Sequence, residues 1–138
     1  HKALPVLNFS RERLDSIEMY PFRKAVEQGL GGVMVGHLDV PALSKKTSSL
    51  SPEIVGILKD DWKFKGLVFT DALVMKGVSN NANVSAQALI AGNDLLLVPP
   101  TLKRELDGVL AAVKAGQLTE EEITERCRKV LAFKYALG

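Results

Sequence analysis

The chain has 138 residues, 46% of them apolar and 25% charged, with eighteen basic and sixteen acidic side chains giving a formal charge of +2. That length fits one domain or a piece of one, and the charge gives no argument for a nucleic-acid partner, since no basic cluster is interleaved with aromatic residues. No apolar run approaches the roughly 20 residues that span a bilayer, no signal peptide is visible, and a single cysteine excludes an internal disulfide or a Cys-based zinc site.

In chain order, Ser10 is placed to cap a first helix carrying Leu14, Ile17 and Glu18. Pro21 interrupts it, and the pattern resumes through Phe22, Ala25 and Val26 until Gly29. "GVMVGH" (Gly32 to His37) follows as a first continuous apolar run. The loop-like "SKKTSSLS" leads to a helix with Ser51 as N-cap, Pro52 at its first position, and Ile54, Ile57 and Leu58 on its apolar face. "GLVFTD" (Gly66 to Asp71) is the second run, and the Asn-rich "SNNAN" is the next loop. "NVSAQALIAG" reads as a helix ended by Gly92, and "DLLLVPP" (Asp94 to Pro100) is the third run.

Two helices close the chain. One presents Leu102, Leu106, Val109, Leu110 and Val113 on a common face. The other opens with a Thr119/Glu122 capping box and buries Ile123, Val130 and Leu131. Cys127 sits among these apolar residues and reads as a buried, inert thiol.

Continuous rather than alternating apolar runs predict parallel strands, near 33–36, 67–70 and 95–98, buried on both faces. Strands alternating with helices predict an α/β fold. Three strands leave two open edges, and a complete (β/α)₈ barrel needs eight strands and about 250 residues. The pattern therefore fits either the C-terminal three βα units of a TIM barrel or a small open sheet.

His37 and Asp71 both fall at the carboxyl ends of strands, the edge where parallel α/β folds bind ligands. Taken singly, Asp71 reads equally as a turn cap and His37 as a core histidine satisfied by backbone carbonyls. Together on one edge they point to a site. "GLGG" precedes a strand, so it reads as a helix stop and not as a phosphate loop. Ser48, Ser49 and Ser51 have no histidine near them in sequence, which weakens a serine-hydrolase reading. Two histidines are too few for a zinc centre without carboxylates.

"GLVFTDALVMKGV" resembles the nucleophile segment of glycoside hydrolase family 3, in which an apolar strand delivers an Asp followed by Ala-Leu and a nearby Met. "VMVGHLDVPAL" is similar to the preceding strand of that family's barrel. "ALIAGNDLLLVPP" resembles its eighth strand, and the segment from Glu105 to Gly138 its closing helices. "HKALPVL" resembles the end of a loop in the β-N-acetylglucosaminidase branch, where a His follows Asp-Ser; a purification-tag origin for His1 is the rival reading.

The resemblance implies a retaining glycosidase releasing terminal β-linked N-acetylglucosamine, with Asp71 as nucleophile and His1 as general acid/base. It also implies that His37 and Met75 line the sugar pocket. Packing alone is the alternative for Met75, and Asp39 and Asp94 read either as substrate contacts or as structural residues in turns. The substrates implied are N-acetylglucosaminides such as peptidoglycan or chitin fragments, with no metal and no organic cofactor. The missing N-terminal part of the barrel, or a second copy of the chain, is the partner expected for the open strand edges. A β-glucosidase of the same family and a non-catalytic half-barrel are the other readings. The chain begins without Met, so its localisation is not readable.

Overall fold

The computed structural model describes residues 4–138. Ser10 opens α1 (Arg11–Arg13) by accepting from the Arg13 N–H. The chain continues through a π turn, Leu14–Glu18, and restarts as α2 (Tyr20–Glu27), with Pro21 in the first turn. There proline forfeits no helical hydrogen bond, which is why the break falls just before it. Gly29, at φ 84°, ends α2 and leads into β1 (Gly32–Val35).

Beyond β1, a short 3-10 turn at Ser48–Leu50 precedes α3 (Pro52–Gly56), which runs on as a π turn through Asp61. The Ser51 side chain caps α3 by accepting from the Ile54 N–H. β2 (Leu67–Ala72), α4 (Val84–Ile90), β3 (Leu95–Leu97), α5 (Leu102–Lys114) and α6 (Glu120–Leu137) complete the chain. The Thr119/Glu122 capping box is formed at the start of α6.

The three strands form one parallel sheet in the order β1-β2-β3, with Val33 beside Val68 and Val35 beside Thr70. Phe69 pairs with Leu95, and the register then shifts, so that Ala72 pairs with Leu97. Neighbours in sequence are neighbours in space, as in consecutive units of a barrel. Gly66 makes the entry to β2 possible. A Cβ there would overlap both the Gly31 carbonyl oxygen and the Phe64 ring, so only glycine lets these segments approach.

Among the described residues the strands are not buried on both faces. Val33, Val35 and Val68 pack against Val55, Leu58, Phe64 and Ala91 on the helix side. Fully burying side chains of this size stabilises by roughly 1.5–3 kcal/mol each. On the opposite face Met34 is 52% exposed, and Leu67 and Phe69 are only half-buried. That face would line the interior of a closed barrel, and three strands cannot cover it.

α5 also departs from expectation. Val109 and Val113 of the expected face are half-buried against Ala86, Ala112 and Leu118, but the buried residues are Glu105, Gly108 and Ala112, and Leu102, Leu106 and Leu110 are exposed. The small residues face α4 because the helices approach closely: a Cβ at Gly108 would stand 2.9 Å from the Asn83 side-chain oxygen. Cys127 is exposed, and so is Leu131, while Ile123 and Val130 are half-buried. α6 has one face with no cover from the described residues, and the thiol lies on it. Among these residues no helix is long and apolar enough to cross a membrane.

Candidate active site

Strand alternation decides what β2 offers at its carboxyl end. Val68 and Thr70 turn toward the helices and are fully buried, so Phe69 and Asp71 point to the other face. Thr70 is held in place because its hydroxyl oxygen accepts the Leu97 N–H at 3.1 Å, where the β2–β3 register shifts. The Leu73 N–H donates to the Leu97 carbonyl at 2.9 Å. The strand end carrying Asp71 is thereby tied to β3 on both sides of the aspartate.

Asp71 is half-buried and faces a hollow of about 290 Å³ lined by His37, Met75, Leu4, Pro5 and Gly77 among others. That is close to the lower end of small-molecule sites. Its Oδ1 accepts the Ala72 N–H at 2.7 Å, and among the described residues Oδ2 accepts nothing. One oxygen is fixed and the other is available. An oriented carboxylate of this kind can act as a nucleophile or a base toward a molecule in the hollow.

His37 lies at the edge of the same hollow, 5% exposed. Its Nδ1 is 2.6 Å from the Ser49 hydroxyl and its Nε2 is 3.1 Å from the Ala72 carbonyl. A carbonyl only accepts, so Nε2 carries the hydrogen. The chain thus brings a serine and a histidine together across twelve residues. Ser49 is fully buried, however, and it cannot serve as a nucleophile.

The most loop-like stretch of the sequence, Ser44 to Ser51, is fastened into the interior at its end. Ser48 donates to the Gly36 carbonyl at 2.5 Å and accepts the Leu38 N–H at 2.9 Å, clamping the chain beyond β1. The Asn93 amide nitrogen donates to the carbonyls of Ser49 and Ala88 at 2.9 and 2.7 Å. Ser48, Ser49 and Asn93 carried no motif in the sequence. For the two serines, a cluster of hydroxyls ending in an apolar Leu50 was the sign the sequence carried.

Met75 lines the hollow and is half-buried, so the structure gathers Asp71, His37 and Met75 at one place. His1 lies outside the described residues. Leu4 and Pro5 line the hollow, and the segment behind them is pinned: the Asp39 N–H donates to the Pro5 carbonyl and the Leu7 N–H to the Asp39 carbonyl, both at 2.8 Å. Asp39 thus fastens this segment through its backbone.

Asp94 sits at the opposite edge of the sheet, before β3, and is remote in kind from Asp71. It is buried, accepts Lys59 and Lys129 at 2.6 and 2.7 Å, and accepts the Val68 N–H at 2.9 Å. Burial acts to raise its carboxyl, but the hydrogen bonds from Lys129, Lys59 and Val68 outweigh that and hold it below the usual range. Lys59 is lowered because burial outweighs the pull of Asp94.

Another groove, of about 230 Å³, runs between α2 and α3 past Leu14, Phe22, Met34 and Trp62, with Glu18 as its one charged liner. It offers packing surface and no chemistry. Among the described residues no three His, Cys, Asp or Glu side chains are grouped to hold a metal ion.

The family described as "Glycosyl hydrolase family 3 N terminal domain" matches residues 1–133 of the chain. A Cellulomonas fimi protein named beta-N-acetylglucosaminidase/beta-glucosidase is 28% identical over the whole chain, which covers 27% of that protein. A Neisseria gonorrhoeae beta-hexosaminidase is 32% identical over 71% of the chain and is covered over 28% of its own length. The solved family 3 beta-N-acetylglucosaminidase from Paenibacillus sp. str. FPU-7 superposes with a TM-score of 0.88 at 38% identity, covering 98% of this chain and 27% of that one. The chain therefore spans little more than a quarter of these relatives, and it belongs to glycosyl hydrolase family 3.

Proposed function

We propose that this chain is the C-terminal part, three βα units, of the barrel of a retaining glycosidase that releases terminal β-linked N-acetylglucosamine. The observation that carries this reading is Asp71: one carboxylate oxygen is held by the Ala72 N–H, and the other, with no partner among the described residues, belongs to a carboxylate that lines the hollow at the carboxyl edge of the sheet. The names of the Cellulomonas, Neisseria and Paenibacillus relatives support the sugar.

In this reading Asp71 attacks the anomeric carbon and forms a glycosyl-enzyme, which water then hydrolyses. His1 first protonates the departing oxygen and then takes the proton of the incoming water. An imidazole with an ordinary value of about 6.5 suits both tasks near neutrality. His1 stands three residues before Leu4, which lines the hollow, and three residues span at most about 11 Å. Met75 forms part of the sugar-facing wall. N-acetylglucosaminides, such as peptidoglycan or chitin fragments, are the substrates.

The Cellulomonas relative's name includes beta-glucosidase, which favours glucose as the second sugar. Hydrolysis of an aryl N-acetylglucosaminide and an aryl glucoside by the intact parent protein separates the two. Preference for the acetamido sugar is expected; equal or reversed preference removes the N-acetylglucosaminidase assignment. The remaining barrel strands, or a second copy of the chain, would cover Met34, Phe22 and the exposed leucines of α5.

A further inference from the structure

We propose that His37 is a positioning residue for Asp71, acting through the Ala72 peptide units and making no contact with the sugar itself. This rests on the reading of Asp71 as nucleophile. Both ring nitrogens of His37 are already engaged, Nδ1 with Ser49 at 2.6 Å and Nε2 with the Ala72 carbonyl at 3.1 Å. With 5% of the residue exposed, the ring has no free polar atom to offer a hydroxyl of a sugar.

What the ring does hold is the residue that orients the nucleophile. The Ala72 N–H donates to Asp71 Oδ1 at 2.7 Å, while the Ala72 carbonyl accepts both His37 Nε2 and the Met75 N–H, the latter at 3.0 Å. Ala72 is therefore gripped on its carbonyl side by two donors, and its own N–H fixes which way the carboxylate faces. His37 is in turn fixed by Ser49, whose carbonyl is held by the fully buried Asn93. A relay runs from Asn93 through Ser49, His37 and Ala72 to Asp71, and its last member is the reacting group. Rotation of Ala72 would swing Oδ2 off the line of attack. A misplacement of about 1 Å costs on the order of a hundredfold in rate.

Side-chain length makes the test specific. The amide nitrogen of glutamine extends about as far from the backbone as Nε2 of histidine, whereas that of asparagine stops near the level of Nδ1. His37→Gln can still donate to the Ala72 carbonyl, and His37→Asn cannot. The Met75 N–H remains on that carbonyl in either variant, so neither leaves it unpaired.

Both variants are made in the intact parent protein, with Asp71→Asn alongside, and kcat and KM are measured on whichever aryl glycoside the parent hydrolyses. His37→Asn is expected to lower kcat about 10- to 100-fold with KM within about twofold, and His37→Gln to recover most of the loss. Ser49→Ala should lower kcat in the same direction, through a ring freed at one end. A rise in KM at unchanged kcat would mean a direct sugar contact and overturn the assignment. Equal losses in both His37 variants, tracking their melting temperatures, would reduce the role to folding and overturn it too. Full activity in Asp71→Asn would instead defeat the reading of Asp71, and the inference with it, a result no His37 variant can mimic.

Discussion

Glu105, in the first turn of α5, accepts the backbone N–H of Ser85 in the first turn of α4 at 3.0 Å. Asn83, which precedes α4, lies at φ 54° and makes no side-chain cap of its own. A buried carboxylate from the next helix thus satisfies a donor that the local sequence leaves open, with Arg104 at 3.0 Å on its other oxygen. Burial acts to raise the Glu105 carboxyl, but the Ser85 and Arg104 contacts prevail and hold it low. Glu105→Ala is expected to lower stability by about 1–3 kcal/mol, read from the urea midpoint at neutral pH. An unchanged midpoint would show that the contact contributes nothing.

Asp94 links stability to acid. Its folded value is lowered, so the stabilisation is fully present above the ordinary carboxylate range and is lost as pH falls through the folded value. Below about pH 4 the parent should therefore lose stability more steeply than Asp94→Asn. At neutral pH the variant should already be weaker by about 2–4 kcal/mol, because Lys59 and Lys129 lose their shared counter-ion. The figure sits below that for fully buried pairs because both lysines keep partial contact with water. Parallel acid profiles for the two proteins would contradict the linkage.

Gly66 governs the entry to the strand that presents Asp71. Gly66→Ala should cost at least about 1–3 kcal/mol, since the new methyl must displace the Gly31 carbonyl or the Phe64 ring. Thermal melting reads the loss, and a melt within error of the parent would contradict the packing described.

The 138-residue chain alone should self-associate. Met34 on the bare sheet face, Phe22 on α2 and Leu102, Leu106 and Leu110 on α5 are all exposed. Light scattering is expected to report dimers or larger species. A monodisperse monomer with one cooperative melt would show that these faces need no cover.

Local chemistry made much of this architecture legible in the sequence. The run from Leu67 to Phe69, ended by Thr70 and Asp71, announced a strand with a carboxylate at its carboxyl end. Ser10, Ser51 with Pro52, and Thr119 with Glu122 fixed helix starts, because a cap is a relation between residues two or three apart. Long-range relations were not legible. The Ser49–His37 contact closes a twelve-residue excursion, and Asn93 reaches Ser49 across forty-four residues. α5 misled because helical period marks two candidate stripes and favours the larger side chains. Close approach of α4 selects the smaller ones, Gly108 and Ala112. Cys127 misled for a related reason: its apolar neighbours at helical spacing belong to a face that the described residues do not cover.

The identity of the nucleophile is tested most directly by trapping. The intact parent protein is incubated with the 5-fluoro glycosyl fluoride of N-acetylglucosamine, whose fluorine slows hydrolysis of a glycosyl-enzyme while fluoride leaves readily, and the digest is mapped by mass spectrometry. The label is expected on Asp71, within the peptide from Gly66 to Lys76. A label on another residue, or none from a protein that still turns over the aryl glycoside, would contradict the central claim.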